Sequence, residues 1–458
     1  MRLNGREIYI PAWSGKGSLL TYFDQSIRES LSADEIPVRF VVTRSGPDGY
    51  HCELGVLTAS ESAHIGEPNS IFDFAQREVE NARNFNAVMI VPTGIGAEIG
   101  GHAGDATAAA RLLAGACDKL ITHPNVVNAS DINELPENGL YVEGSVISRL
   151  LMGTAGLQEV RSNRVLLVID EHEDRQVSEL AINSASAARA TLGLDCAGVV
   201  KIDPPIYMRA EYSSSGRAVG QIEGLERLVS VLRNRRSEYD AAALASKIDI
   251  SDGLNKKYFE SEGKMINPWG GVEAMLTHTV SLLFDVPAAH APMADNMEEV
   301  STFFGIVDPR MSAEAVSNCF LHCVLKGLHR SPRIIGDKML FVHPGVLTAA
   351  DISCLVIPDG CLGLPTLAAL EQAIPLIAVR ENRNRMRNDL EKLPFAPRKL
   401  FIVENYLEAA GLMTALRFGV SPSAVRRPLE DTAVASDRVS VYAPQDSNVD
   451  KTAASREG

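Results

Sequence analysis

The clearest indication of the fold is the stretch Val91-Pro-Thr-Gly-Ile-Gly-Ala-Glu-Ile-Gly-Gly-His-Ala-Gly-Asp105. It follows the apolar run Ala87-Val-Met-Ile-Val91 and precedes an alanine-rich stretch that begins at about residue 106. A short apolar run, a glycine-rich loop and a helical pattern are typical of α/β proteins, whose parallel strands are buried on both faces. Ligands bind outside the carboxyl ends of such strands, so we expect this loop to line a ligand site.

The loop indicates an anion-binding site, because glycine lets the backbone approach a ligand and amides at a helix start attract anions. No Gly-Lys-Ser/Thr ends it, so it is not a P-loop, and its glycine spacing misses the dinucleotide pattern by one residue. The alternative is a tight turn that packs the helix closely on the strand. The predicted ligand contacts are Gly94, Gly96, Gly100 and Gly101.

Apolar runs that alternate with helical patterns recur at 119–122, 165–169 and 198–202, and again after residue 331. The sequence therefore predicts an α/β fold with two parallel-sheet, Rossmann-like units and a largely helical insertion between them. The predicted domains are an N-terminal α/β lobe (1–205), a mostly helical middle segment (206–330), a C-terminal α/β lobe (331–425) and a disordered tail (426–458).

An internal similarity supports the two-unit hypothesis. His123-Pro-Asn-Val-Val-Asn-Ala-Ser-Asp-Ile132 can be laid on His343-Pro-Gly-Val-Leu-Thr-Ala-Ala-Asp-Ile352, and each copy follows a strand-like run. Each copy also precedes a second run that ends in an acid and a glycine, at Glu143-Gly144 and Asp359-Gly360. The alternative is that both are ordinary turns, in which Pro, Asn and Asp are common.

The composition is that of a globular protein, with 458 residues of which 45% are hydrophobic and 22% are charged. The net charge of −14 argues against binding to nucleic acid or to an anionic membrane. Seven cysteines, most of them in apolar runs, fit reduced thiols. The sequence has no signal-peptide pattern and no long apolar stretch, so we expect a cytoplasmic location. The sequence does not exclude a homo-oligomer.

Polar residues follow several of the predicted parallel strands, where they would meet at one edge of the sheet. A histidine beside a carboxylate is oriented and has its basicity tuned for general acid–base catalysis. For each residue the alternative is a local cap at the end of a strand. The predicted catalytic residues are His102, Asp105, His123, Glu143 and Asp359.

Further residues carry groups suited to holding a substrate. Arg310 could bind a carboxylate or phosphate through two parallel hydrogen bonds, and Lys201 ends an apolar run where it could hold a carboxylate. The remaining predicted contacts are Asn125, Asn128 and Gly360.

Two clusters contain residue types that can bind metal ions. Cys319, His322 and Cys323 share a helix face, but their spacing is not a zinc pattern and apolar neighbours favour packed thiols. The acidic run from Asp170 to Asp174 is more typical of a solvated loop. We therefore expect no cofactor and no tightly bound metal, and leave open a weakly bound divalent cation at carboxylates.

Motifs spread along the chain resemble those of a family of uncharacterised proteins from cyanobacteria and other bacteria. They include Thr122-His-Pro-Asn-Val-Val-Asn-Ala, Tyr141-Val-Glu-Gly and Asn267-Pro-Trp-Gly-Gly-Val-Glu. The resemblance extends from about residue 85 to 425 and implies no mechanism, because the family has no settled activity.

The run from Leu355 to Asn382 resembles the nucleotide-sugar lobe of two-lobed glycosyltransferases and sugar-nucleotide epimerases. In those enzymes a glycine turn begins a helix with an Ala-Leu-Glu pattern, as it does here. The preceding lobe lacks the matching N-terminal signature, so the resemblance does not carry nucleotide-sugar specificity.

Three functions therefore stay open. The first is an enzyme that acts on an anionic, carboxylate- or phosphate-bearing small molecule by general acid–base chemistry, of lyase, isomerase or hydrolase type. The second is a transferase that binds a nucleotide or nucleotide sugar. The third is a non-catalytic, ligand-binding regulatory protein, since a fold alone does not fix function.

Overall fold

The computed structural model describes residues 1–59, 69–129, 132–251, 254–300, 305–316, 319–429, 431–432 and 434. Most of the predicted disordered tail lies outside these residues. The strands are β1 (Arg2–Pro11), β2 (Glu35–Ser45), β3 (Gly49–Thr58), β4 (Asn86–Met89), β5 (Lys119–Thr122), β6 (Asn128–Ala129), β7 (Ile132–Asn133), β8 (Gly139–Tyr141), β9 (Gly156–Gln158), β10 (Arg164–Asp170), β11 (Asp195–Ile202), β12 (Tyr207–Tyr212), β13 (Ala218–Glu223), β14 (Ala241–Asp249), β15 (Ala288–Met293), β16 (Arg333–Ile335), β17 (Val346–Leu347), β18 (Ile352–Pro358), β19 (Leu362–Gly363), β20 (Leu376–Val379) and β21 (Leu400–Val403).

The α-helices are α1 (Leu19–Arg28), α2 (Thr107–Ala114), α3 (Pro124–Val127), α4 (Gly144–Leu151), α5 (Arg175–Leu192), α6 (Leu225–Asn234), α7 (Leu254–Phe259), α8 (Gly270–Phe284), α9 (Met297–Val300), α10 (Ser312–Ala315), α11 (Phe320–His329), α12 (Leu364–Glu371) and α13 (Tyr406–Arg417). Short 3₁₀ helices lie at Pro309–Met311, Lys338–Leu340, Ala349–Asp351, Leu390–Lys392 and Pro422–Val425.

One sheet is entirely parallel and has the strand order β21-β20-β18-β4-β5-β8. If its strands are numbered 1 to 6 in chain order and the sheet is read from β8 to β21, the order is 3-2-1-4-5-6, as in Rossmann-type sheets. All residues of β4, β18 and β20 are buried, as expected for parallel strands covered on both faces. The strand order reverses between β4 and β18, which is where sheets of this kind bind ligands.

The second sheet is mixed and curled, with the order β11-β10-β14-β12-β13-β1-β3-β2-β19 and with β15 also paired to β14. Its long hairpin of β2 and β3 and the strand β1 are antiparallel, whereas β10, β11, β14 and β15 are parallel. Helix α8 packs on strands of this sheet and also on α4. It therefore lies between the mixed sheet and the parallel sheet.

The α/β class is confirmed, but the two predicted Rossmann-like units are not. Strands from both predicted lobes pair in a single parallel sheet, because β4 of the first lobe lies beside β18 of the second. The predicted helical insertion also contains the strands β12 to β15, which join the mixed sheet. Apolar runs show that strands are buried, but they do not show which strands pair.

The two His-Pro segments have different structures, so their similarity is not a structural repeat. His123 follows the parallel strand β5 and directly precedes α3. His343 is exposed and follows a 3₁₀ helix, where the sequence predicts a strand over 338–342. Asp337 caps this helix by accepting a hydrogen bond from the backbone of Met339, so a local turn replaces the predicted strand.

Candidate functional site

A cavity of about 340 Å³ lies where the two sheets face each other. From the parallel sheet it is lined by residues that follow β4, β5, β8 and β18, among them Thr93, His123, Glu143 and Cys361. The residues that follow these four strands therefore contribute to one cavity. From the other side the cavity is lined by β2 and by α8. Its walls are largely apolar with a few polar groups, as is usual for small-molecule sites.

Arg39 in β2 brings a positive charge to the cavity. Its guanidinium donates to the backbone oxygens of Thr93, at 3.1 Å, and Gly271, at 3.3 Å. Among the described residues no carboxylate lies within 4 Å of it, whereas Arg149 and Arg217 in the same wall are paired with Asp285 and Glu53. Burial lowers the pKa of Arg39 to about 9, so the guanidinium is still charged at pH 7.

Glu143 and His278 form an acid–base pair across the gap between the two layers. Glu143 Oε2 caps α4 by accepting from the backbone N–H of Ser145 at 2.9 Å, and its Oε1 lies 3.1 Å from His278 Nε2. Thr277 donates a hydroxyl proton to the same Oε1 at 3.3 Å. The charge at a helix start stabilises the carboxylate, which can share a proton with the imidazole. Burial lowers the pKa of His278, and the negative charge of Glu143 opposes that effect.

His123 is the third polar group of this wall. The backbone N–H of Val91 donates to its Nε2 at 3.1 Å, which is the local strand-end contact that the sequence left as an alternative. Burial, followed by the charge of His278, lowers the pKa of His123 to about 4. The ring is therefore neutral at pH 7 and close enough to His278 for their charges to interact.

These groups form one electrostatic cluster. The negative charge of Glu143 raises the pKa of Arg39, and the positive charge of Arg39 lowers that of His278. A cation, a neutral imidazole and a carboxylate–imidazole pair thus line the same cavity. They are the parts needed to hold an anion and to move a proton at the molecule that carries it.

The predicted glycines are not among the residues that line the cavity, although their neighbours Thr93, Ile95 and Ala103 are. Glycine is required at two of these positions by packing. A Cβ on Gly101 would lie 2.0 Å from the backbone oxygen of Ala97, and a Cβ on Gly100 would lie 2.8 Å from the side chain of Val91. The backbone of Gly94 and Gly96 has positive φ and packs against Ala218 and Ile266.

The amides of the glycine-rich loop bind carboxylates of the protein itself. Gly100 N–H donates to Asp105, and Ala103 N–H donates to Glu314. Glu314 also accepts from the hydroxyl of Tyr258 at 2.9 Å, and that hydroxyl lies 2.7 Å from His102 Nδ1. Both of these loop amides therefore donate to carboxyl groups of the protein itself.

Burial shifts the titration of this network strongly. It raises the pKa of Asp105 to about 8 and that of Glu314 to about 7, and it lowers the pKa of His102 to about 4. Glu314 lines the cavity, whereas His102 and Asp105 lie behind it. The predicted pair His102 and Asp105 is thus beside the candidate site.

The other predicted residues divide into two groups. Asn125 and Asn128 line the cavity; Asn125 donates to the Gly100 oxygen at 2.8 Å, and Asn128 donates to the Tyr141 hydroxyl at 2.6 Å. The residues that do not line it are Lys201, Arg310, Asp359 and Gly360.

These outlying residues already have protein partners. Lys201 pairs with Glu171 at 3.0 Å, and Arg310 pairs with Asp308 and Glu98, both at 3.0 Å. Asp359 accepts from the N–H of Gly360 at 2.8 Å, and burial raises its pKa. The positive charges of Lys201 and Arg310 are therefore neutralised outside the cavity.

Sequence reasoning missed Arg39 and His278. Arg39 lies in a strand whose alternating pattern gives no sign of a ligand, and His278 lies in a long, mostly apolar helix. Glu273 and His278 are five residues apart, a spacing that does not place two side chains on one helix face, so no polar stripe marks His278.

Within the described part of the chain, no group of three or more His, Cys, Asp or Glu side chains is arranged to hold a metal ion. Cys323 is buried and donates to the Phe320 oxygen at 3.0 Å, and Cys319 lies 2.9 Å from the Ser184 hydroxyl. The same part of the chain has no helix with both the length and the apolar character of a membrane span.

The fold and the cavity define an α/β protein with a ligand-sized cavity between a Rossmann-type sheet and a mixed sheet. The chain belongs to the family described as "Protein of unknown function (DUF3326)", which it matches over residues 86–426. This confirms the predicted resemblance and its extent. His123, Glu143 and His278 lie in the matched region, and Arg39 precedes it. No solved structure matches the chain.

A relative from Synechococcus sp., named "Uncharacterized lipoprotein", is 31% identical over 345 residues, which are 75% of this chain and 94% of the relative. A lipoprotein carries lipid, and this finding contradicts the cytoplasmic location expected from the sequence. That prediction rested on the absence of a signal-peptide pattern and of a long apolar stretch.

Proposed function

We propose that this protein is an enzyme that binds a small anionic molecule in the cavity and catalyses a proton transfer on it. The anion binds to Arg39, and the Glu143–His278 pair moves the proton. Lyase, isomerase and hydrolase reactions all use such parts. Asn125 and Asn128 are additional polar groups of the same wall.

The observation that carries this proposal is the partly buried guanidinium of Arg39, which has no carboxylate within 4 Å among the described residues. An unpaired charge inside a protein is costly, and a bound anion would remove that cost. Arginine also matches carboxylate and phosphate oxygens geometrically. The neighbouring arginines do not offer this, since each already has a protein carboxylate.

The charge of the cavity wall favours a ligand with one anionic group over a nucleotide. Glu143, Glu273 and Glu314 all line the cavity, and Arg39 is the arginine of the wall that lacks a carboxylate within 4 Å among the described residues. Several phosphates would meet more negative than positive charge there. We therefore rank a small carboxylate or monophosphate ahead of a nucleotide sugar, despite the Rossmann-type strand order.

Thermal-shift measurements with a panel of small carboxylates, inorganic phosphate and nucleotides test the proposal. We expect a carboxylate or phosphate to raise the Tm of the wild-type protein and of Arg310→Met, and to have no effect on Arg39→Met. Arg310 is the matched control because its charge is neutralised outside the cavity. Equal shifts in all three proteins would contradict the proposal.

Catalysis is separated from binding by following each stabilising ligand by NMR during incubation with the protein. Conversion that disappears in Glu143→Gln supports an enzyme. Binding at Arg39 without conversion of any ligand would instead support a regulatory protein.

A further inference from the structure

His123 presents a fixed proton donor to the cavity. The Val91 N–H donates to Nε2 at 3.1 Å, so Nε2 acts as the acceptor nitrogen of the ring. A neutral imidazole has one acceptor and one donor nitrogen, and the proton is therefore on Nδ1. The tautomer follows from a contact with a backbone N–H, whose position does not depend on the side-chain rotamers of other residues.

The Nδ1 atom is open to the cavity. Among the described residues it has no hydrogen-bond partner, yet it is not one of the buried polar atoms that are sealed without a partner. His123 as a whole is 5% exposed and lines the cavity, so its accessible surface faces the cavity. An N–H group in this position needs an acceptor from a bound molecule or from water.

The ring also stays neutral. Burial lowers the pKa of His123 to about 4, and the positive charge of His278 adds to this effect. A neutral imidazole donates a hydrogen bond without giving up its proton, and it thereby polarises a carbonyl group while an adjacent base removes a proton. This role differs from the acid–base role that the sequence assigns to His123.

We propose that His123 Nδ1–H donates to a carbonyl oxygen of the ligand, and that the substrate is a small 2-oxo carboxylate whose carboxylate binds to Arg39. This inference rests on the proposed function and narrows it to chemistry next to a carbonyl group. A C–H bond beside the carbonyl breaks, and its proton goes to the Glu143–His278 pair. The electron pair of the C–H bond forms a C=C bond to the carbonyl carbon. The π electrons of the carbonyl group move onto its oxygen, which becomes an enolate oxygen and keeps the hydrogen bond from His123.

The proposal excludes a substrate held only through its anionic group. Two acids of equal size, 4-methyl-2-oxopentanoate and 4-methylpentanoate, differ in the carbonyl oxygen and are the matched probes. One good hydrogen bond corresponds to about tenfold in affinity. We expect calorimetry to show about tenfold tighter binding of the oxo acid by the wild-type protein, and equal binding of both acids by His123→Phe.

Each outcome of this experiment is decisive. Equal affinity of the two acids for the wild-type protein overturns the role of His123 and leaves the anion site at Arg39 intact. Failure of both acids to bind overturns the inference together with a carboxylate form of the proposed function. Loss of both acids in Arg39→Met, with the oxo-acid preference present in the wild-type protein, supports both.

The tautomer is tested without any ligand, which also covers the case that His123→Phe does not fold. In the wild-type protein with ¹⁵N-labelled histidine, we expect the His123 signals to show the proton on Nδ1 and no titration between pH 8 and pH 5. A proton on Nε2, or a titration near the ordinary pKa of histidine, would overturn the inference.

Discussion

Glu143 Oε1 and His278 Nε2 lie 3.1 Å apart, and this contact joins the two layers of the molecule. Glu143 follows the edge strand β8 of the parallel sheet, and His278 belongs to α8, which packs on the mixed sheet. The pair therefore forms only when the two layers are packed together, and both of its residues line the cavity between them. This is the relationship on which the proposed chemistry relies.

Glu143→Gln should lower the turnover of a converted ligand by about two orders of magnitude, because an amide cannot accept the proton. Ligand affinity should change little, since Arg39 is intact. The measurement is steady-state kinetics on a ligand found in the screen. The matched control is Glu171→Gln, which removes a carboxylate paired with Lys201 outside the cavity. Unchanged turnover in Glu143→Gln would remove Glu143 from the mechanism.

The contribution of His102 to the free energy of unfolding should fall as the pH drops from 6.5 towards 4. Burial lowers the pKa of His102 from 6.5 to about 4, so the unfolded chain takes up a proton in this range before the folded protein does. The corresponding loss is about 3 kcal/mol at pH 4. Urea unfolding at several pH values should show that the wild-type protein loses stability relative to His102→Gln as the pH falls from 6.5 to 4. The wild-type protein should not lose stability relative to the control His343→Gln, whose imidazole is exposed.

Asp105→Asn should stabilise the protein in neutral and weakly alkaline solution. Burial raises the pKa of Asp105 from 3.8 to about 8, so the unfolded chain releases this proton between those values while the folded protein retains it. The contribution of Asp105 to stability is therefore lost as the pH rises from 4 to 8, by about 4 kcal/mol at pH 7. Urea unfolding at pH 5 and pH 8 should show a larger gain at pH 8. The exposed Asp48→Asn is the control, and a gain that is equal at both pH values would contradict the explanation.

Gly101→Ala should destabilise the protein, because the new Cβ would lie 2.0 Å from the Ala97 oxygen. Gly411→Ala is the opposite case, since its Cβ would meet no atom within 4 Å and alanine favours the helix α13 by up to about 1 kcal/mol. Thermal unfolding of the two variants should therefore shift in opposite directions. A neutral Gly101→Ala would show that the loop can relax and that packing does not require this glycine.

The local structure of the chain follows well from its sequence. The strand, glycine-rich loop and helix around residues 87–114 are present, and β5, β8 and β18 are followed within two residues by His123, Glu143 and Asp359. His123 and Glu143 line the same cavity. These features depend on short-range patterns, which periodicity and turn residues encode.

The long-range arrangement could not be obtained in this way. Each buried parallel strand has the same apolar appearance, so nothing in the pattern of residues 86–89 indicates a partner at 352–356. The proposed anion site at Arg39 could not be predicted either, because it depends on which residues from distant parts of the chain lie near the guanidinium. Arg310 is also an arginine and is predicted from the sequence to bind the anion, but Asp308 and Glu98 pair with its guanidinium.

The pairing of β4 with β18 has a consequence for the way the chain folds. The side-chain amide of Asn86 donates to the backbone of Asp351, which is 265 positions away, at 2.9 Å. The centre of the parallel sheet therefore closes only after the whole intervening chain has been made, and contacts of such high sequence separation slow folding. During synthesis on the ribosome, the edge of β4 that pairs with β18 therefore stays unpaired until β18 has been made, and an unpaired strand edge is a surface on which chains aggregate.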